Sequence, residues 1–315
     1  MPGFAAWKTA DCEPLTGDAS ARKYFRLRSG QQTAVLMDAS QVPDSIEPFI
    51  RIAKHLRQLG FSAPKVLARD GNSGLLLLED FGDANFARLL GSPNPAGGCD
   101  WETLFTLATD VLIALHRHPQ AAPENLRAYH PEKMLEDIEL YVQWRTPQVA
   151  SQEKDDFRSA WRAVLPLAHH VSETLLLRDY HVANLMLLSG RDGIRQVGLL
   201  DFQDAYRGPV TYDLASLLQD ARRDVPEALQ KKLLERYFAA FPNLNRESFE
   251  TSLAILAAQR HTRVLGIFER LARHEGKLDY RRLHSPRVER LLQNTLQHPI
   301  LAGVKDWMDR HARTD

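Results

Sequence analysis

The sequence predicts an α+β protein of two lobes, with a small β-rich N-lobe at 1–82 and a large, mostly helical C-lobe at 83–315. Three observations carry that prediction. Short strands surround one amphipathic helix in the first part of the chain. The polar run Glu79-Asp80-Phe81-Gly82-Asp83 then breaks the pattern and marks a hinge. Beyond it the apolar residues recur at helical spacing, except in one segment near residues 178–204.

Each element has its own signal. Lys23–Arg28 alternates, placing Tyr24, Phe25 and Leu27 among charged residues, and Ala34–Met37 is a short apolar strand. Ile46, Phe49, Ile50, Ala53, Leu56 and Leu59 fall on one helical face, so Ser45–Leu59 reads as a helix that Gly60 stops. Val66–Ala68 and Leu75–Leu78 are two further strands around the turn Asp70-Gly71-Asn72. Past the hinge come helical stretches at Trp101–His116, Glu132–Trp144, Glu153–Leu165, Pro226–Phe241 and Arg246–His274, with Gly91–Gly98 as a loop between two helical patterns.

Composition excludes several classes. Lys plus Arg and Asp plus Glu both number 40, so no net field draws the chain to nucleic acid or to an anionic membrane. The two cysteines, Cys12 and Cys99, do not form a disulfide framework, which fits a reducing cytoplasm. Met1–Ala10 lacks the basic start and apolar core of a secretory signal, and Leu75–Leu78 is far too short to span a bilayer. The expectation is a cytoplasmic protein with neither nucleic-acid nor membrane partners; its oligomeric state is not legible.

The exceptional segment carries the chemistry. Arg178-Asp179-Tyr180-His181-Val182-Ala183-Asn184 precedes the apolar run Leu185–Leu188. A turn at Gly190–Gly193 leads to a second run, Val197–Leu200, ending at Asp201-Phe202-Gln203-Asp204. An acid, an amide five positions on and a second acid 22 positions after the first suit phosphoryl transfer from ATP. Asp179 would take the proton of the attacking hydroxyl, and the returning strand would set Asp201 level with Asn184. One amide and one carboxylate suit Mg2+, whose remaining ligands are phosphate and water.

The donor side needs backbone amides near phosphates. Thr16, Gly17, Asp18, Ala19 and Ser20 make a loop of small residues between the first two strands. Glu79 through Phe81 would lie beside the adenine, offering backbone groups to its edge. His181, inside the catalytic loop, has two readings: phosphate contact or loop support. The twelve histidines show no metal-ligand spacing.

Three features resemble the aminoglycoside phosphotransferase/choline kinase superfamily: Asp179–Asn184, Leu199-Leu200-Asp201-Phe202-Gln203, and Gly208-Pro209 followed by Tyr212-Asp213-Leu214-Ala215. The resemblance covers essentially the whole chain and implies a protein-kinase-like two-lobed fold. Four segments are similar, more narrowly, to bacterial N-acetylmuramate/N-acetylglucosamine anomeric kinases of cell-wall recycling: residues 16–26, 75–83, 217–225 and 259–268. That resemblance implies transfer from ATP to the C1 hydroxyl of an amino sugar. An aminoglycoside or choline-like acceptor is the first alternative, and a nucleotide-binding pseudokinase module the second.

Two positions depart from the superfamily pattern. Leu177 stands where many members have His, two residues before the catalytic Asp. The third strand, Ala34-Val35-Leu36-Met37, lacks the Lys that normally holds the phosphates. Arg22 or Lys23 beside the small-residue loop is the expected replacement, with Lys54 as the other candidate donor. On the acceptor side, Arg222 and Arg223 suit a lactyl carboxylate, and Trp144 and Gln259 are candidates for the sugar ring. Residues 260–290 hold nine Lys or Arg against four Asp or Glu, which disfavours a polycationic acceptor.

Overall fold

The structure, a computed structural model, describes residues 2–15, 21–71, 73–91 and 100–311. In chain order the elements are α1 (Pro2–Ala5), β1 (Asp11–Leu15), β2 (Lys23–Ser29), β3 (Gln32–Asp38), α2 (Ile46–Gln58), β4 (Val66–Asp70), β5 (Leu75–Glu79), α3 (Phe86–Gly91), α4 (Trp101–Arg117), α5 (Pro131–Leu140) and α6 (Ser151–Val164). There follow β6 (Glu173–Leu176), β7 (Leu185–Leu187), β8 (Val197–Leu199), β9 (Tyr206–Pro209), α7 (Thr211–Leu218), α8 (Glu227–Ala240), α9 (Arg246–His274), α10 (Ser285–Thr295) and α11 (Ala302–His311). An antiparallel five-stranded N-terminal sheet thus precedes a mostly helical C-terminal region, as the α+β reading expected. The loop expected at Gly91–Gly98 lies, from residue 92 on, outside the described residues, as does Asn72 of the expected turn.

The chain packs as two compact units, residues 1–114 with 182–205, and residues 115–181 with 206–315. In the first, the sheet order is β1-β2-β3-β5-β4. Gly30, at φ +59°, opens the two-residue link that pairs Ser29 with Gln32. β5 lies between β3 and β4, and Leu76, Leu77 and Leu78 are all buried because both faces are covered there: Leu77 packs with Leu27 and Ala34, and Leu76 and Leu78 point to the opposite face. Helix α2 buries Ile46, Phe49, Ala53 and Leu56 of the predicted face, with Ile52 added and Ile50 and Leu59 left half-buried at its edges. It ends where expected: Gly60 takes φ +88°, and the amides of Phe61 and Gly60 reach back to the carbonyls of Leu56 and Arg57. In the same unit β7 and β8 form the predicted antiparallel hairpin, with Leu185 opposite Leu199.

The second unit is built around α9. Asn245 caps it by accepting from the Ser248 amide at 2.9 Å. Every residue from Ile255 to Thr262 is buried, so this stretch is surrounded by protein on all sides. Its neighbours include Met134, Ile138, Tyr141, Trp161, Val288, Leu292 and Trp307. The expected helix Glu132–Trp144 is α5 continued by a π-helical turn at Tyr141–Arg145. Gly266 explains how α9 approaches that junction: a Cβ there would stand 2.5 Å from the Leu140 carbonyl carbon and 2.6 Å from the Tyr141 nitrogen. The two-stranded β6–β9 pair went unread in sequence because its partners are some thirty residues apart. No helix among the described residues is long and apolar enough to cross a membrane.

Candidate active site

The loop bearing Asp179 is shaped by its own unit. Asp213, in the first turn of α7, accepts the Leu177 amide at 2.6 Å and the Arg178 amide at 2.9 Å. Arg178 sits at φ +68°, uncommon for a residue with a side chain, and this clamp holds it there. The Asp179 amide donates to the Leu177 carbonyl and the His181 amide to the Asp179 carbonyl, closing the turn. The Arg178 side chain is locked too. Its guanidinium lies over the rings of Tyr129 and Tyr206, 4.9 Å from each centroid, and donates to Asp137 at 2.5 Å.

Electrostatics keep Asp179 ionised. Burial alone would raise its carboxyl, but Arg263, then His181, Arg178 and Arg260 outweigh burial and hold it below the ordinary carboxylate range. His181 is pushed down to about 4, chiefly by burial, so it is a neutral imidazole at neutral pH. Its Nε2 lies 3.4 Å from Arg222 Nη1. Asp213 goes the other way, pushed up to about 7 by burial despite the two amides it accepts. A half-buried, ionised carboxylate on a clamped turn can accept a proton from a hydroxyl placed against it.

In the first unit, Asn184 and Asp201 flank the open end of the β7–β8 hairpin. The Leu200 amide donates to the Asn184 carbonyl at 3.0 Å, which sets Asp201 one residue past Asn184's opposite number. Asp201 has φ +59° and a side chain 38% exposed. Its Oδ1 accepts from Arg22 Nη2 at 2.8 Å and from Gln203 Nε2 at 2.9 Å. The donor set fits magnesium: one amide and one carboxylate are hard oxygen ligands, and a guanidinium already seated on the carboxylate marks the position as one that favours a cation. Among the described residues no group of three or more His, Cys, Asp or Glu is placed to hold a metal. Two protein ligands are the number expected where phosphate and water complete the shell.

The expected donor-side residues divide. Thr16, Gly17, Asp18, Ala19 and Ser20 lie outside the described residues. Arg22 reaches Asp201, whereas Lys23 and Lys54 are exposed. Glu79 spends its side chain on Arg191 at 2.5 Å and Arg57 at 3.3 Å, and also accepts the Lys65 amide. Phe81 packs on Gly198 of β8, where a Cβ would come within 2.7 Å of the ring, so only glycine admits this contact. The two side chains are therefore part of the framework, and any edge offered to a base is backbone.

Sequence reasoning missed the residue that fixes this segment. Arg26 on β2 pairs with Asp80 at 2.8 Å and Asp83 at 2.7 Å, and donates to the Gly82 carbonyl at 2.9 Å. The signal was a charged residue at a sheet position whose strand neighbours are apolar.

On the acceptor side, Arg222 and Arg223 are half-buried at the C-terminal side of α7, and their amides are held by Asp220. Trp144 is half-buried, edge-on to His274 at 6.1 Å. Gln259 is wholly buried, and its amide nitrogen donates to Tyr129 Oη at 3.1 Å and the Met134 carbonyl at 2.9 Å. Asp137, not foreseen, gathers Tyr129 Oη, Lys133, Arg178 and Arg263 on one buried carboxylate.

A five-stranded antiparallel sheet, a helical region and a rigid Asp-bearing loop followed by an Asn…Asp hairpin define a phosphotransferase of kinase-like architecture. Residues 11–249 match the phosphotransferase enzyme family. The chain is 34% identical to an N-acetylmuramate/N-acetylglucosamine kinase of Caulobacter vibrioides, over 95% of this chain and 91% of the relative. It is 32% identical to a kinase of the same description from Pseudomonas aeruginosa, over 88% and 82%. Among solved structures, an ethanolamine kinase of Plasmodium vivax superimposes with a TM-score of 0.64 at 12% identity, covering 91% of this chain and 84% of that one, a likeness of fold. The chain belongs to the phosphotransferase enzyme family.

Proposed function

We propose that this protein transfers the γ-phosphoryl group of ATP to the anomeric C1 hydroxyl of N-acetylmuramate and N-acetylglucosamine, giving the sugar 1-phosphate, in the cytoplasm as a step of peptidoglycan recycling. The observation that carries the acceptor is the 34% identity to a kinase of both sugars across nearly the full length of both chains. Asp179 orients the C1 hydroxyl and accepts its proton. Asn184 and Asp201 hold Mg2+, which when bound neutralises phosphate charge. Positioning supplies most of the remaining acceleration, because phosphoryl transfer needs little covalent help.

In this reading residues 1–82 form the nucleotide side and 83–315 the catalytic and sugar side. Thr16, Gly17, Asp18, Ala19 and Ser20 cradle the phosphates, with Lys23 near them. Arg22 takes the part of the missing strand lysine, and Asn184 and Asp201 would hold the cation beside it. The backbone from Glu79 to Phe81 receives the adenine. Arg222, Arg223 and Trp144 line the sugar side, and Gln259 acts through Tyr129 and Met134, which its amide already holds.

The test is phosphate transfer from ATP to a panel of acceptors, with the product position read by phosphorus NMR. Sugar 1-phosphates from both amino sugars are expected. Turnover of an aminoglycoside or choline with none of either amino sugar would overturn the acceptor assignment. Nucleotide binding without transfer to any acceptor would overturn the enzyme assignment.

A further inference from the structure

Several cations of the second unit share one carboxylate. Arg178, Lys133 and Arg263 converge on Asp137. Arg260, one turn before Arg263 on α9, does not join them. It is 2% exposed, yet its Nε and Nη1 have no hydrogen-bond partner. Asp220, following α7, is 1% exposed, and its Oδ2 likewise has none, although its Oδ1 accepts the Arg222 amide at 2.8 Å. Buried donors and acceptors left open cost stability, and a buried charge costs more. The unit gives Arg178, Lys133 and Arg263 a shared carboxylate and Arg260 none at ion-pair distance, which leaves Arg260 and Asp220 Oδ2 able to serve a ligand.

Their surroundings say what. Arg260 and Asp220 act electrostatically on one another and on the loop: Arg260 on Asp179, Asp220 on His181. The open groups thus sit within electrostatic reach of the proposed proton acceptor, in the same unit. The two open nitrogens are donors only, matched to oxygen acceptors and best to an ionised one. The open carboxylate oxygen is an acceptor only, matched to a hydroxyl. The cations Arg178, Arg222, Arg260 and Arg263 outweigh what Asp137, Asp179 and Asp220 supply, so the cluster favours an anionic ligand over a polycation.

We propose that Arg260 and Asp220 form the acceptor subsite, with Arg260 donating from Nη1 to the carboxylate of an acidic amino sugar and Asp220 Oδ2 accepting a ring hydroxyl. This rests on the proposed amino-sugar kinase reading and refines it: the lactyl carboxylate goes to Arg260, deep in α9, while Arg222 stands beside His181. A non-acidic amino sugar uses the Asp220 half of the subsite alone.

The experiment has a binding arm and a turnover arm. N-acetylmuramate, its lactyl methyl ester and N-acetylglucosamine are titrated calorimetrically into nucleotide-free protein, and KM and kcat are measured for each. In the natural chain, esterification is expected to weaken binding about thirtyfold, the scale of a buried charged hydrogen bond. In Arg260→Gln, N-acetylmuramate should lose a similar factor, N-acetylglucosamine should lose much less, and the ester penalty should vanish. Asp220→Asn should weaken both sugars together. An equal loss for both sugars in Arg260→Gln, or an ester penalty that persists there, overturns the assignment and leaves Arg260 to an internal water. If Arg260→Gln does not fold, the natural chain still decides, because an ester that binds as well as the acid also overturns it. Carboxylate-dependent binding without turnover would sink the kinase reading and keep the subsite.

Discussion

The end of the β7–β8 hairpin and the loop before it treat charge in opposite ways. At the hairpin, Asp201 is partly open to solvent and already carries Arg22 as a resident cation. At the loop, Asp179 is half-buried within electrostatic reach of several arginines, one of which, Arg260, keeps two donors open. The first arrangement is self-neutralised and must be opened by a competing cation or anion before it can act. The second is preset, with its base ionised and its donors waiting. A resting pair suits the mobile partner of a reaction, and an open cluster suits the partner that must be recognised by shape.

The largest way to break that contrast is at the base. Asp179→Asn keeps the shape of the loop and removes the proton acceptor, so kcat should fall by about 10³-fold, within the range for general bases. Nucleotide affinity, read by calorimetry, should hardly move. Retained turnover would remove Asp179 from its role. Next comes the clamp on the segment after β5. Arg26 and Asp80 are nearly sealed, with side chains 6% and 5% exposed, so Arg26→Ala strands a buried carboxylate. Denaturant titration should show a loss of roughly 3–5 kcal/mol, the usual cost of breaking a buried pair from one side.

How far the sequence could be read follows the same division. The five-stranded sheet, α2 with its glycine stop and the β7–β8 hairpin were all visible, because local periodicity and turn residues determine them. Helix α9 matched its expected bounds, Arg246–His274. What stayed hidden were pairings between distant segments. Nothing near Arg26 announces Asp80, and nothing near Arg178 announces Asp137. Arg260 counted only toward the positive charge of residues 260–290, since a helix buried all round has no polar side to reveal it. The usable sign was its position inside the run Ile255–Thr262, where it is the one residue among Lys, Arg, Asp and Glu.

Two smaller tests sharpen the comparison. Asp213 is pushed up to about 7, so between the ordinary carboxylate range and that pH the folded chain holds a proton that the unfolded chain has released. Stability should therefore fall as pH rises through this window, and thermal melts of Asp213→Asn should lack that slope. A rise in stability over the same window would reverse the assignment. The smallest effect belongs to Arg22→Ala. If the guanidinium competes with metal at Asp201 and then serves the phosphates, metal-free protein should bind Mn2+ more tightly, by calorimetry. The KM for ATP should rise about tenfold, or 1.4 kcal/mol. Unchanged metal affinity would make the Arg22–Asp201 pair mere scaffolding.

Gly266 gives α9 a property of a different kind. The helix touches the Leu140–Tyr141 backbone there with no side chain between them, six residues, about 9 Å of helix, beyond Arg260. That contact works as a fulcrum. A methyl group at position 266 would lift the helix off its bearing and displace the arginines on the adjoining turns without altering either of them. Acceptor choice could then drift through a position that never meets an acceptor, so the fulcrum is a place to look when relatives of this chain differ in the sugar they prefer.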